Sequence, residues 1–307
     1  MPSSESVDTA PVTYEIAHTT RYDYSDSVSV SQHVARLSPR VLPHQQCLER
    51  SLHIEPPPAV RAEHFDYFGN RTTFFAMQGG HRRLTVTARS RVRVRPRPVL
   101  READTPPWEV ATDRGTLPIE AVDCLFDSPS IQTSAEFAGY AEPSFTPGRR
   151  LLEAVRDLTR RIYEEFTFQP GTTTVATNIA EVFRTRRGVC QDFAGVEIAC
   201  LRSLGLPAQY ISGYLETVPP PGRPRRIGAD ASHAWVAVYC PGAGWIEVDP
   251  TNNMLPGTAH VTLARGRDYG DISPIRGVML GGGSHSLHVS VDVVRSEGAR
   301  DGRAQTV

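Results

Sequence analysis

Between Val12 and Arg97 the chain alternates apolar and polar residues, and from Arg149 it does not. The segments "VTYEIAHTTRYDYS", "CLERSLHIEP", "RTTFFAMQ" and "RLTVTARSRVRVRP" repeat or cluster β-branched and aromatic residues between turn signals such as Phe68-Gly69-Asn70 and Gln78-Gly79-Gly80, the pattern of half-buried strands. From Arg149 onward Leu151, Leu152, Val155, Leu158, Ile162 and Phe166 recur at helical spacing, so "RRLLEAVRDLTRRIYEEF" is expected to form an amphipathic helix with one core face. One element cannot hold both periods. The expectation is an α+β chain: a β-rich, sandwich-like domain over 12–97, a connector over 98–148, a second domain over 149–295 and a disordered tail over 296–307. At 307 residues there is enough chain for two cores.

Within the second domain "NIAEVFRT" reads as a short helix, with Asn178 or Thr177 as its N-cap. A further helix is expected over Gln191 to Leu204, ended by Gly205 and Pro207, which places Cys190 at its first turn. Strands are expected at "AQYISGYLET", "HAWVAVYC" and "GWIEVD", the last two joined by a short turn at "PGA", with two more near "HVTLARGRDY" and "SLHVSVDVV". The stretch "VPPPGRPRRIGADAS" reads as an exposed loop.

A lone thiol at a helix start has two readings. Free cysteine packs as a small hydrophobe, whereas first-turn N–H groups and the positive end of the macrodipole favour a thiolate there. The hairpin weighs on the choice. If its turn centres near Gly242, Tyr239 faces Trp245, Trp235 faces Asp249, and His233 becomes a diagonal neighbour of Asp249 on the same face. A carboxylate in that place fixes the imidazole tautomer, leaving the other ring nitrogen to address a thiol. Cys190, His233 and Asp249 are therefore the candidate catalytic residues, conditional on that register. By contrast, Cys200 on the apolar helix and Cys240 in the hairpin read as packing.

These residues resemble the bacterial branch of the transglutaminase-like superfamily, whose core is papain-like. The resemblance is carried by "RRGVCQDFAGVEIACLRSLGLPAQYISGYLET", "GADASHAWVAVYCPGAGWIEVDPTN" and "LARGRDYGDISPIRGV", and at the front by "YEIAHTTRYDYSDSVSVSQHVARLSPR" and "DYFGNRTTFF". It implies an N-terminal β-sandwich-like domain followed by a papain-like cysteine transglutaminase core, a helix packed on an antiparallel sheet. It further implies Cys190 as nucleophile, His233 as general base and later acid, and Asp249 as the residue that orients the imidazole. The family pattern carries histidine after "DFA", where this chain has Gly195.

The activity expected is thiol-dependent acyl transfer on amide or peptide bonds, hydrolytic (protease- or amidase-like) in preference to cross-linking, with a silent binding scaffold of the same fold as the alternative. The Cys190 backbone N–H is the first oxyanion donor, with no second one evident. Gln191, Trp235 and Arg225 are candidate substrate contacts; Gln191 is adjacent to the thiol but on the other side of it from a papain-type glutamine. Arg225, with Arg223 and Arg226, could equally be solvated loop residues. Asp192 could brace the first helical turn.

Five widely spaced cysteines with no CxxC pair support neither a disulfide framework nor a structural metal. His260, His285 and His288 show no ligand spacing. No cofactor or metal is expected. A net charge of −1 offers no field for nucleic acid, and no apolar stretch is long enough to span a bilayer. The expected partner is a protein or peptide substrate. The first eight residues lack the basic and apolar regions of a secretory signal, which makes cytoplasmic residence the expectation. All 33 basic residues are arginine.

Overall fold

The computed structural model describes residues 10–174, 177–217 and 232–296. The alternating region forms five strands: β1 (Val12–Ala35), β2 (Gln45–Glu55), β3 (Val60–Phe65), β4 (Arg71–Met77) and β5 (His81–Val94). β1 is 24 residues long and belongs to two leaves. Its first half pairs with β5, which in turn pairs with β2, and its second half pairs with β4, which pairs with β3. The β1–β5 register breaks between Asp23 and Val28, at an irregularity of the kind that bends a strand. Phe75 and Met77 of β4 and Leu84 and Val86 of β5 fill a common core.

The longer helices that follow are α1 (Ala135–Ala141) inside the connector, α2 (Leu151–Glu165), α3 (Ile179–Thr185) and α4 (Cys190–Ser203). The expected stripe of α2 is its core face, with Leu151, Leu152, Val155, Leu158 and Ile162 buried. Truncating one of them, Leu158→Ala for example, is expected to cost about 2–5 kcal/mol. α4 is buried almost all round, its Asp192, Glu197 and Arg202 included, as a central helix covered on every side. It packs on a four-stranded antiparallel sheet made of β6 (Ala208–Leu215), β7 (Ser232–Cys240), β8 (Gly244–Val248) and β9 (His260–Gly266), in the order β8-β7-β6-β9.

The last two strands return to the first sheet. β10 (Ile275–Gly281) and β11 (His285–Arg295) do not extend the four-stranded sheet; both pair antiparallel with β1, β11 along its first half and β10 along its second. A domain boundary drawn only at residue 149 therefore misplaces the last strands. The reason is that β1 has two edges, and local periodicity carries no information about which distant strand fills the second. The expected tail lies outside the described residues from 297 onward.

The sheets meet through apolar and polar contacts. Tyr14 and Ile16 of β1 and Val291 and Val293 of β11 pack with Tyr214, Val261 and Leu263. Gln45 binds β9 through its side-chain amide, donating to the Thr262 carbonyl at 2.8 Å and accepting from its N–H at 2.7 Å. Asn70 treats Arg265 the same way, at 2.8 and 2.9 Å. β9 is an edge strand, and these amides close its open side.

Candidate active site

α4 begins after Val189, which is extended (φ −120°, ψ −177°). The Asp192 carboxylate reaches back to accept the Val189 N–H at 2.8 Å and the Thr173 hydroxyl at 2.6 Å, in the first turn where the helix dipole favours an acid. This leaves no room at position 188. A Cβ there would stand 2.5 Å from Asp192 Oδ2, so glycine is required. Cys190 follows, half-buried, as the first helical residue, and its N–H is among the donors a helix leaves without an internal partner.

The hairpin has the register that parity required, Tyr239 opposite Trp245 and Val236 opposite Val248. The next pair along brings Asp249 beside Trp235 and diagonal to His233. His233 Nε2 donates to Asp249 Oδ2 at 2.7 Å; a carboxylate only accepts, so Nε2 carries the proton. Nδ1 is then the nitrogen left for the Cys190 thiol, which is close enough to act on the imidazole's titration. Burial by itself would depress the imidazole, but the bonds and charges of Asp249 and Cys190 outweigh it and raise His233 to about 10.

Asp249 is fully buried. Burial opposes its charge, yet donors from His233, His260 and Asn252 hold it well below the usual carboxylate range. His260 Nε2 lies 3.1 Å and Asn252 Nδ2 2.7 Å from the same Oδ2, while the Thr251 N–H reaches Oδ1 at 2.9 Å. His260 is lowered by burial, only partly countered by Asp249. The donor atoms of His233, Asp249 and His260 lie within 4.8 Å of one another, close enough to hold a metal ion; hydrogen bonding already accounts for their approach.

Two residues earlier on the same face, Glu247 accepts from Trp235 Nε1 at 2.7 Å, Arg97 at 2.9 Å and Arg265 at 3.0 Å. Burial resists its charge, but the two guanidiniums bring Glu247 down to about 2. Trp235 covers Gly213 on the neighbouring strand, where a Cβ would stand 2.5 Å from the indole.

Cys190 and His233 open onto a cavity of about 270 Å³. Gln191, Tyr210 and Ser212 line it on the core side, and His18, Thr20 and Tyr22 of β1 with Leu287 and Val289 of β11 form the facing wall. His18 bonds the Tyr214 hydroxyl at 2.8 Å and Thr20 at 3.1 Å, and burial lowers it to about 4, so it is neutral there.

Residues 14–93 match the bacterial transglutaminase-like N-terminal region and residues 139–250 the transglutaminase-like superfamily core. An uncharacterised protein of Mycobacterium tuberculosis is 43% identical over 293 residues, covering 93% of each chain. The chain belongs to the transglutaminase-like superfamily. A Mycobacterium leprae relative, also uncharacterised, is 31% identical across 91% of this chain and 98% of its own. A protein-glutamine gamma-glutamyltransferase of Pseudomonas aeruginosa is 37% identical over 76 residues, 24% of this chain and 11% of that one. The fold matches that of a crystal structure from Cytophaga hutchinsonii described as a cysteine protease, with a TM-score of 0.77, 22% identity and coverage of 94% and 92%.

In this transglutaminase-like protein Cys190, His233 and Asp249 come together, and Gln191 lines the cavity beside the thiol. Trp235 does not. Its side chain is fully buried against Glu247 and His260, so the substrate contact expected of it is replaced by a packing role; strand parity points it at the buried acid. Arg225, with Arg223 and Arg226, lies outside the described residues. Gly195 faces Ile179, whose Cδ1 would stand 2.8 Å from a Cβ, and does not line the cavity. Sequence reasoning missed His260 and Asn252. The Asp249-Pro250-Thr251-Asn252 turn was the available signal for Asn252, and the β1 wall had none.

No helix among the described residues is long and apolar enough to cross a membrane.

Proposed function

We propose that the protein is a thiol-dependent acyl-transfer enzyme that acts on amide bonds of protein or peptide substrates and passes the acyl group to water. The observation that carries this reading is the 2.7 Å bond from His233 to a fully buried Asp249, with Cys190 at a helix start on the same cavity as His233. Cys190 Sγ attacks the amide carbonyl, and the imidazolium of His233 gives its proton to the departing amine. His233 then takes a proton from water as the thioester is cleaved. The amine leaves before the acceptor enters, so hydrolysis and cross-linking share the first half. Neighbours with names from both halves, a glutamyltransferase and a cysteine protease, fit that division. Lysine is missing from the 307 residues, so the protein offers no ε-amine for linking to itself.

Two measurements test the reading. Iodoacetamide near pH 6 is expected to label Cys190 much faster than free cysteine; labelling at the free-cysteine rate would leave the silent scaffold. Peptide and isopeptide libraries, assayed beside Cys190→Ala with and without hydroxylamine, then report the acceptor. Products should be predominantly acids without added amine, and obligatory amine dependence would reassign the protein to transfer.

A further inference from the structure

Acylation of a thiol builds negative charge on the carbonyl oxygen, and that oxygen needs donors already in place. The Cys190 N–H is one. Tyr210, on β6, is 3% exposed and lies with Cys190 on the lining of the same cavity. Its ring packs edge-on to Tyr269, at 6.4 Å between centroids. Its hydroxyl has no hydrogen-bond partner among the described residues. A buried tyrosine ordinarily finds a partner for its O–H, and here the residue lines the reaction space. Burial, followed by the Cys190 charge, holds the phenol well above its ordinary pKa. It therefore stays protonated, able to donate.

We propose that the Tyr210 hydroxyl is the second oxyanion donor, completing with the Cys190 N–H the site that holds the tetrahedral intermediate. This rests on the acyl-transfer reading above. As the Sγ–C bond forms, the carbonyl π pair moves onto oxygen and is met by the Tyr210 O–H. Collapse restores the C=O bond and expels the leaving group with its bonding pair. Ser212 and Tyr269 line the cavity too; Tyr210 is buried beside the thiol, and the Cys190 charge acts on its phenol.

Two probes of one thiol separate this role from others. p-Nitrophenyl acetate acylates Cys190 through an oxyanion, whereas iodoacetamide alkylates it by direct displacement without one. Tyr210→Phe keeps the ring and removes the donor; its fold is checked by circular dichroism. Acylation, followed as nitrophenolate release and an acetyl mass shift on Cys190, is expected to slow about 10²–10³-fold, with alkylation within about twofold of wild type. A parallel fall in both rates would make Tyr210 a positioning residue for the thiol and overturn the proposal, as would no change in either. Loss of acylation in Ser212→Ala with Tyr210→Phe unaffected would move the role to Ser212. A wild-type thiol that alkylates no faster than free cysteine would instead remove the underlying acyl-transfer reading, and this proposal with it.

Discussion

Glu247 and Asp249 sit two residues apart on one face of one hairpin, and both are buried carboxylates held ionised. Their partners differ in kind. Glu247 is bonded to Arg97 and Arg265 and the indole of Trp235, and guanidiniums do not change charge over the working range of a protein. Asp249 is bonded to two histidines and an asparagine, and imidazoles do change charge. The same side-chain chemistry thus serves as a fixed clamp between three parts of the chain at 247 and as the partner of a moving proton at 249. What decides the role of a buried acid here is whether its partners can let go of a proton.

The sharpest way to break the comparison is kinetic. His233→Ala is expected to lower kcat/KM on the order of 10⁵-fold or more, and Asp249→Asn by about 10²–10⁴-fold, because the orienting residue leaves the acid–base group in place. Equal losses would refute the division of roles. Glu247→Gln should do the reverse: it strands two partly buried arginines and is expected to cost about 3–5 kcal/mol in urea unfolding, while the pH profile of activity in the folded protein keeps its limbs. A shifted limb would mean that Glu247 also takes part in the proton economy.

Titration sharpens the contrast. Activity should be bell-shaped in pH and fall on the basic side as His233 deprotonates near 10. For stability the signs run in opposite directions. Asp249 and Glu247 have folded values below their ordinary 3.8 and 4.5, so their contribution is full above about 4.5 and is lost as pH falls, for Glu247 toward about 2. His233 is raised, so its contribution is full below 6.5 and is lost as pH rises toward about 10. Thermal melts across pH 2 to 10 should thus decline at both ends, and Glu247→Gln should flatten only the acidic one. The smallest effect expected is from His260→Phe, which removes one of three side-chain donors to Asp249 and should slow turnover by less than about tenfold.

Residues close in sequence or linked by one short turn were legible. The α2 stripe, the helix beginning at Cys190 and the 239–245 register all follow from local period and turn length, and the His233–Asp249 contact follows from that register. What escaped depends on long-range placement. Arg97 and Arg265 reach Glu247 from 150 and 18 residues away, and no period announces either partner. Trp235 misled because an aromatic beside a candidate histidine invites a substrate role, whereas alternation turned it toward a buried acid. The facing wall of the cavity required knowing that β11 returns to β1, a pairing of residues some 270 positions apart in the chain, Tyr14 with Arg295 to Tyr24 with His285.

The two amides that close the outer side of β9 bear on what happens if the chain is cut. Gln45 and Asn70 occupy the backbone groups of Thr262 and Arg265 that would otherwise point into water. A fragment beginning after residue 97 would bare that ladder, together with the apolar Val261 and Leu263. An open strand of this sort recruits another copy of itself. The N-terminal sheet thus covers an edge that would otherwise be open to pairing, besides forming one wall of the cavity.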